Sequence, residues 1–512
     1  MKTAWGSAIT RRRFLEVCAG SAAVLSAKGQ AAAWAEPIRA SSPLRPLFPD
    51  PVRGWRGDSS LAAWLRGGGA PVPQVPGGRS PAPPEPSDLA VHFSDLSRHF
   101  VFEYYPWYGG PPDYYHWDYL ERHPPHDLST PYVPRLGPYD VRSRTVLEQH
   151  ARWIAEAGVG AIALSWWGLR SWEHDSVSYV LDVMKDHGIK ATFALEPYAD
   201  DRGLRYADDI LFLLREFGEK RRWDTFLILK DADGSEGPVF KGFRCILPRF
   251  VEDCRGIVHE VSDHTPDDVW RKQIDGLRRT LREDFDHVTL LADSLEFRRT
   301  PDSGFDGIGI YDNFVPPESY ADYAAGASRA GLLFSFNINP GYDQVEPRDV
   351  SPDDVCYAPR PFAPPTEGLD FALAEGRERA AQRSTERIRE SFEATLAVQQ
   401  EPALTNARRG FFLVYINSFN EWHEGHAFEP MQDAAALGPE YHTPPYHNPA
   451  RGDYRLKALG AHLGSVLRRR PVDPAPPSLP PQAAWPRSGP NTAPRSGPNA
   501  PPRSGPNESV FL

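Results

Sequence analysis

Short apolar segments alternate with amphipathic ones through most of the chain, and this alternation restricts the fold more than any other feature. The apolar, strand-like segments lie at 99–105, 160–167, 190–198, 224–230, 287–293, 304–312, 331–339 and 410–416. The helix-like segments lie at 141–158, 177–188, 207–218, 268–283, 318–330, within 372–400 and at 454–469. Helices between successive strands predict a parallel sheet covered by helices.

The number of strands helps to choose between two folds. Eight candidate strands over about 380 residues predict an α/β protein, a (β/α)8 TIM-type barrel with long loops at its carboxyl-terminal rim. The alternative is an open, doubly wound sheet. That fold is disfavoured because neither a G-x-G-x-x-G nor a G-K-[ST] turn follows the first strand. In a barrel, functional residues are expected at the carboxyl ends of the strands.

The two ends of the chain differ from this pattern. Residues 1–35 hold the motif RRRFL, an apolar stretch and an A-x-A site ending at Ala35, which together resemble a cleaved twin-arginine export signal. Residues 36–90 are rich in proline and glycine and predict a linker. Residues 471–512 repeat PRSGPN three times and predict a disordered tail. The folded domain is therefore expected at 91–470, in a protein secreted by the twin-arginine route.

Composition argues against several classes of protein. The formal net charge of −11 does not favour a nucleic-acid-binding surface, and the apolar stretch of the signal is too short for a transmembrane helix. After removal of the signal, Cys245, Cys254 and Cys356 remain, too few for a disulfide scaffold or a cysteine-rich metal site. One Cys245–Cys254 bridge is compatible with the sequence. Aromatic residues make up 12% of the chain, which suits stacking against flat ligand faces.

Aromatic and acidic residues recur where the predicted strands end. The segments are YYPWYGG (104–110), SWWG (165–168), EPY (196–198), YDN (311–313), NPGYD (339–343) and NEWHEG (420–425). Because the carboxyl ends of barrel strands meet at one rim, these side chains are expected to form a single site.

Glu421 and Glu424 are the candidate catalytic residues. Two carboxylates that flank a bond are the working groups of most glycosidases, one as acid and the other as base or nucleophile. Crowding raises the pKa of one of two close carboxyl groups, which separates these roles. Spacing alone leaves two other interpretations open: acidic residues at a helix N-terminus, and a metal site that adds His423 and His426. The spacing matches no H-E-x-x-H helix, so neither a metal nor a cofactor is expected.

The motifs also carry a family resemblance. In order between residues 100 and 430, FEYYPWYGG, LSWWG, LEPY, GFDGIGIYD, NPGYD and NSFNEWHEG resemble glycoside hydrolase family 99, the endo-α-1,2-mannosidases and mannanases. The resemblance implies a (β/α)8 barrel and hydrolysis with retention of anomeric configuration. It also implies that no enzyme nucleophile takes part. Instead, a carboxylate deprotonates the 2-hydroxyl of the sugar, which attacks C1 and forms a 1,2-anhydro sugar.

Carried over by motif position, the resemblance assigns Glu421 as the base for the 2-hydroxyl and Glu424 as the acid for the leaving group. It assigns a larger set to substrate binding: Tyr105, Trp107, Tyr108, His116, Trp117, Trp166, Glu196, Tyr198, Tyr311, Asn420, Trp422 and His423. Segments 231–267 and 343–372 look unlike the best-known members, and loops set substrate choice on this fold. The chemistry is therefore better defined than the glycan.

The sequence thus predicts a secreted retaining glycoside hydrolase that cleaves α-1,2-linked mannosidic glycans inside the chain. Its partner is expected to be an oligosaccharide or polysaccharide, with no nucleic acid and no stable membrane insertion, and the enzyme is expected to be a monomer. One alternative is a non-catalytic carbohydrate-binding barrel, which needs the aromatic residues but not both glutamates. The other is a metal-dependent hydrolase, which a chelator would inactivate.

Overall fold

The computed structural model describes residues 89–220, 223–252, 257–345, 369–441 and 446–467. The predicted export signal and repeat tail lie outside these residues, as does the linker up to residue 88. Cys254 and Cys356 also lie outside them, whereas Cys245 is a buried free thiol. The domain boundaries inferred from composition stay predictions.

A parallel β-barrel organises the described residues. The strands are β1 (Phe100–Tyr104), β2 (Ala161–Trp166), β3 (Lys190–Leu195), β4 (Ile228–Lys230), β5 (Glu236–Gly242), β6 (Phe250–Glu252), β7 (Val258–Glu260), β8 (Thr289–Ala292), β9 (Gly307–Gly309), β10 (Leu333–Ser335) and β11 (Val414–Ile416). Within the described ranges, eight strands are parallel neighbours in the order β10, β9, β8, β5, β3, β2, β1, β11. A parallel bridge between Ile338 and Ile416 joins the two ends of this order. The predicted barrel fold is confirmed.

Helices cover the outside of the barrel. They are α1 (Leu89–His92), α2 (Arg144–Glu156), α3 (Trp172–Asp186), α4 (Arg202–Leu213), α5 (Asp267–Leu281), α6 (Arg299–Asp302), α7 (Tyr320–Arg329), α8 (Ala374–Gln400), α9 (Thr405–Arg409) and α10 (Tyr454–Leu467). In α2, Leu147, Ala151 and Ile154 are buried, at the spacing of an apolar helical stripe. Gly158 follows this helix with φ 83°, a left-handed conformation that glycine adopts without strain. In the part of the chain that the structure describes, no helix is both long and apolar enough to cross a membrane.

One predicted barrel strand, 224–230, joins the barrel through an isolated parallel bridge between Phe226 and Ala191 of β3. The sequence analysis assigns 224–230 to the barrel, but β4 pairs antiparallel with β5 and lies off the barrel order. The barrel strand here is β5, which runs parallel between β3 and β8. Its sequence, EGPVFKG, contains two glycines and a proline, which lower strand propensity. The neighbouring segment DTFLILK is more apolar, so its pattern predicts a buried barrel strand more strongly than that of β5.

Two apolar layers lie on either side of the strands. One contains Val101 and Val239, and the other, larger layer contains Phe102 and packs against the helices. Side chains alternate between the two faces of a strand. Glu103 lies two residues after Val101 on β1, and Lys241 lies two residues after Val239 on β5. Both charged side chains therefore point to the same side as the two valines, nearer the carboxyl ends of the strands. Charged groups thus enter the barrel interior just below its carboxyl-terminal rim.

Candidate active site

The segment that carries both glutamates follows β11 directly, at the carboxyl end of the barrel. Residues 422–425 form a turn rather than a helix, so the interpretation of acidic residues at a helix N-terminus is wrong. Gly425 has φ 64°, and a Cβ there would lie 2.1 Å from the carbonyl oxygen of Asp343. Glycine therefore lets the loop after β10 approach this turn. The amide of Asp343 donates to the carbonyl of Glu424 at 3.0 Å, which joins the two loops.

Glu421 is buried, with only 2% of its surface exposed. Its amide donates to Oγ of Ser418 at 2.8 Å, and its Oε1 accepts the amide of His423 at 2.9 Å. Burial raises the pKa of Glu421 well above its ordinary value, and repulsion by Glu424 adds to the rise. When ionised, this carboxylate is therefore a stronger base than an exposed glutamate.

Glu424 is more accessible, with 28% of its side chain exposed, and three side chains hold it. Its Oε2 accepts the hydroxyl of Tyr311 at 2.5 Å and lies 2.9 Å from Nε2 of His426. Its Oε1 accepts the hydroxyl of Tyr342 at 3.4 Å. The two glutamates thus occupy different environments, an arrangement that separates acid and base roles.

A buried ion pair in the barrel interior supports Tyr311, and the sequence analysis missed it. Nζ of Lys241 contacts Oε1 of Glu103, and the two side chains are 2% and 4% exposed. The ammonium group lies 5.5 Å from the ring centre of Tyr311 and 4.9 Å from that of Tyr415. Oε2 of Glu103 accepts the hydroxyl of Tyr105 at 3.4 Å. The signal available in the sequence is one charged residue inside each of the apolar segments VFEYY and PVFKG.

Two further carboxyl groups interact electrostatically with this pair. Glu196, a predicted ligand contact at the end of β3, accepts the hydroxyl of Ser165 at 2.9 Å. Burial raises the pKa of Glu196 to about 8, and the charge of Glu103 adds to the rise. The sequence analysis missed Asp293, although it ends the segment TLLAD. It accepts the amide of Tyr311 at 3.0 Å, and burial raises its pKa to about 7. When protonated, both groups can donate a hydrogen bond to a sugar oxygen.

Aromatic rings form a wall beside the turn that holds Glu421. His116 stacks on Trp107, with ring centres 4.6 Å apart and an interplanar angle of 4°. Nδ1 of His423 donates to the carbonyl of Ser129 at 2.7 Å, so its Nε2 accepts from Nδ1 of His116 at 3.2 Å. Burial lowers the pKa of His423 to about 4 and that of His116 well below its ordinary value. Both rings are therefore neutral near neutral pH.

Three predicted ligand contacts, Trp117, Trp166 and Trp422, are fully buried. Their indole N–H groups donate, in that order, to the carbonyl of Tyr139 at 2.9 Å, to Nδ1 of His174 at 3.2 Å and to Oε2 of Glu429 at 3.0 Å. This placement indicates that the three indoles support the site from behind. Direct sugar contact by them stays a prediction.

Two other predicted contacts join the loops after β1 and β11. Oδ1 of Asn420 accepts the amide of Tyr105 at 2.8 Å, and its Nδ2 donates to the carbonyl of Tyr105 at 3.0 Å. The hydroxyl of Tyr108 accepts the amide of Trp422 at 3.1 Å. These bonds fasten the aromatic loop to the segment that carries the glutamates.

Partial exposure marks the predicted residues that a ligand can reach most readily. Tyr198, Tyr311, His116 and Glu424 are partly exposed. Tyr198 is held by a 2.5 Å hydrogen bond from its hydroxyl to Oδ2 of Asp209. These side chains define the accessible part of the site above the buried Glu421.

The histidines around the glutamates form hydrogen bonds and are not arranged as metal ligands. The ring nitrogens of His423 contact Ser129 and His116, as given above, and those of His426 contact Ser418 and Glu424. Within the described residues, no group of three or more His, Cys, Asp or Glu side chains is placed to hold a metal ion.

Comparisons with known proteins agree with a barrel that carries two glutamates and aromatic residues at its rim. A family model described as "Glycosyl hydrolase family 99" matches residues 95–226. A glycoprotein endo-alpha-1,2-mannosidase-like protein of Mus musculus is 24% identical over 389 residues, which cover 70% of this chain and 74% of that protein. The glycoprotein endo-alpha-1,2-mannosidase of Rattus norvegicus is 24% identical over 382 residues, which cover 68% of this chain and 71% of that protein. These matches support the resemblance of the chain to glycoside hydrolase family 99.

The fold of this glycoside hydrolase also matches a solved structure. The GH99 endo-alpha-mannosidase from Bacteroides thetaiotaomicron superposes with a TM-score of 0.50 at 19% identity, covering 72% of this chain and 96% of that one. That likeness concerns the barrel alone. The family model and the relatives confirm the resemblance found in the motifs and the prediction of an enzyme, a glycoside hydrolase similar to the endo-α-mannosidases.

Proposed function

We propose that this glycoside hydrolase is a secreted, retaining endo-α-mannosidase that cleaves α-1,2-linked mannosidic glycans through a 1,2-anhydro sugar. The observation that carries the proposal is the contrast between the two glutamates. Glu421 is enclosed and has a raised pKa, whereas Glu424 is partly exposed and held by Tyr311. The names of the relatives support the substrate class, and the arginine motif at 11–13 supports export.

In the first half of the proposed reaction, Glu421 removes the proton of the sugar 2-hydroxyl. An alcohol is a far weaker acid than a carboxylic acid, so a carboxylate with a raised pKa is better matched to this transfer. The alkoxide oxygen attacks C1 while the bond from C1 to the leaving oxygen breaks. Glu424 gives its proton to that leaving oxygen. The enzyme forms no covalent bond to the sugar.

Water opens the three-membered ring in the second half. Glu424, now a carboxylate, takes a proton from the water whose oxygen attacks C1. Glu421 returns its proton to O2 as the bond between C1 and O2 breaks. Two displacements at C1 restore the original configuration, and both glutamates regain their starting protonation states.

Tyr311 is suited to hold the acid through both halves. A phenolic hydroxyl can donate to a carboxylate and accept from a carboxylic acid. The 2.5 Å contact between Tyr311 and Glu424 can therefore persist when Glu424 changes protonation. The amide of Tyr311 is fixed by Asp293, and the Lys241 ammonium lies near its ring. This network supports a single orientation of the acid.

Glutamine variants of the two glutamates separate the proposed roles. Glu424→Gln removes the acid, so activity should recover in part on a glycosyl fluoride or activated aryl glycoside, whose leaving group needs no protonation. Glu421→Gln removes the base, and a better leaving group cannot replace it. Each loss should be ~10²–10⁴-fold on an ordinary glycan. Glu440→Gln, at an exposed position outside the site, is the matched control and should keep full activity.

Products and substrate analogues test the remaining parts of the proposal. α-1,2-Linked manno-oligosaccharides and fungal mannan should be cut internally, with the retained anomer appearing first by NMR. Activity confined to another glycan would reject the substrate assignment. An analogue without the 2-hydroxyl should bind and not turn over, whereas its efficient cleavage would favour direct attack by a carboxylate. A chelator should leave the rate unchanged, and a loss that one metal restores would favour a metal-dependent hydrolase.

A further inference from the structure

Arg202, the first residue of α4, is a buried cation that the proposed reaction does not use. It is 1% exposed, and its Nη2 donates to the carbonyl of Arg244 at 2.5 Å. Among the residues that the structure describes, neither Nε nor Nη1 of Arg202 has a hydrogen-bond acceptor. Burying charged donors without acceptors is costly. Such a group therefore points to a ligand.

Two more donors belong to the same region. Tyr206 lies one turn along α4 on the same face, is 1% exposed, and its hydroxyl has no partner among the described residues. A Cβ on Gly242 would lie 3.0 Å from that hydroxyl and 2.4 Å from Sγ of Cys245, so the hydroxyl sits against the end of β5. Nε of Arg244, two residues past β5, also has no acceptor within the described ranges. These N–H and O–H groups gather where the start of α4 meets the end of β5.

The local charge favours an anion over a neutral molecule. Arg202 and Arg244 supply two guanidinium groups, and the described carboxylate paired with them is Asp263, 3.3 Å from Nη2 of Arg244. Glu196 and Asp293 are also near, but burial raises their pKa values to about 8 and about 7. Near neutral pH Glu196 is therefore mostly uncharged and Asp293 only partly ionised. Water could accept the N–H groups but would not balance the remaining positive charge.

We propose that Arg202, Tyr206 and Arg244 form a buried site for a small monovalent inorganic anion, with chloride as the probe. The near-complete burial of Arg202 and Tyr206 favours a small free anion over a phosphate or carboxylate carried by a glycan, which would need an open path to both residues. The site adjoins the catalytic rim, because Phe243 packs against Tyr311 with ring centres 5.3 Å apart. Tyr311 in turn binds the catalytic acid.

The bound anion would act on the proposed reaction from a distance. Its negative charge beside Glu196 favours the protonated form of that carboxyl, and it would fix the segment 242–245 that supports Tyr311. This consequence for turnover rests on the proposed function, whereas binding of the anion does not.

Thermal unfolding at constant ionic strength tests the site directly. Sodium chloride or bromide replaces sodium gluconate, whose anion is too large for a buried site, while total salt stays fixed. Ligands that bind the folded state stabilise it by RT ln(1 + [L]/Kd), so Tm keeps rising with the logarithm of the anion concentration above Kd. The wild type and Arg205→Gln, an exposed arginine on the same helix, should show this rise. Arg202→Gln should lose the rise in Tm. Tyr206→Phe should lower the affinity for the anion by about 10-fold or more, because one charge-assisted hydrogen bond is lost.

Several results would overturn the proposal. One is a wild-type Tm that does not depend on chloride at fixed ionic strength, and another is an unchanged response in Arg202→Gln. If Arg202→Gln does not fold, two other experiments test the anion site: the chloride response of Tyr206→Phe, and crystals of the wild type grown in bromide. An anomalous peak within hydrogen-bond distance of Arg202 supports the site, whereas density without anomalous signal identifies water and refutes it. If the enzyme cleaves no mannoside, the proposed function fails while the unfolding result still stands.

Discussion

Lys241→Met is expected to destabilise the enzyme strongly, because it leaves the carboxylate of Glu103 in the barrel interior without its cation. The two side chains are only 2% and 4% exposed, so water cannot replace the lost partner. Removing one member of a buried ion pair costs about 3–5 kcal/mol, whereas replacing both with uncharged groups of similar size is often close to neutral. The double variant Lys241→Met/Glu103→Gln should therefore lie within about 1–2 kcal/mol of the wild type.

Urea unfolding measures this difference, with the free energy extrapolated to water for each variant. Lys220→Met is the matched control: its ammonium pairs with Glu216 on the surface and is 67% exposed. That change should cost less than about 1 kcal/mol.

Activity provides a second measurement on the same variants. Lys241 lies near the ring of Tyr311, whose hydroxyl donates to Glu424, the proposed acid. The folded single variant should therefore lose kcat more than it changes KM. The reasoning is refuted if Lys241→Met costs less than about 1 kcal/mol, or if the double variant is as unstable as the single one.

Other predictions concern pH, export and the tail. Activity should fall as pH drops through the raised pKa of Glu421, since this residue must be ionised to act as the proposed base; a rate that holds down to the ordinary glutamate range would contradict this in a pH–rate profile. Glu196→Gln should gain stability over the wild type as pH rises from about 5 to about 8, because the native carboxyl, with a pKa of about 8, holds its proton longer than the unfolded one; unfolding curves with a pH-independent difference would argue otherwise. A reporter fused to residues 1–40 should lose translocation when Arg11 and Arg12 become lysine, and unchanged export would reject the twin-arginine signal. Removal of 473–512 should leave Tm nearly unaltered in a thermal scan, whereas a drop of many degrees would show that the tail contributes to the fold.

Local sequence signals were enough for the architecture and for the position of Glu421 and Glu424 at the barrel rim. Apolar strands that alternate with amphipathic helices indicate a barrel because each element must bury a face against its neighbour. Glu421 and Glu424 follow the strand-like segment 410–416, so the rim location could be predicted without coordinates. The prediction failed at β5, where propensity and burial disagree: the segment is weak by composition but lies between β3 and β8.

The sequence could not show which aromatic residues reach a ligand. Trp166 and Trp422 occur in the same kind of segment as Trp107, yet both are fully buried and donate their indole N–H groups inward. A tryptophan at a strand end has the same local pattern whether it packs behind the site or faces it. Tertiary packing alone decides between the two.

Partners and pKa values also arise only in the folded barrel. Glu103 and Lys241 are 138 residues apart in the chain, and they become an ion pair because the sheet brings β1 and β5 to one interior. Residue types and their order along each strand follow from the sequence alone. Burial and neighbouring charge set the basicity of Glu421, and both depend on the closed fold, because desolvation acts only after the surrounding loops have excluded water.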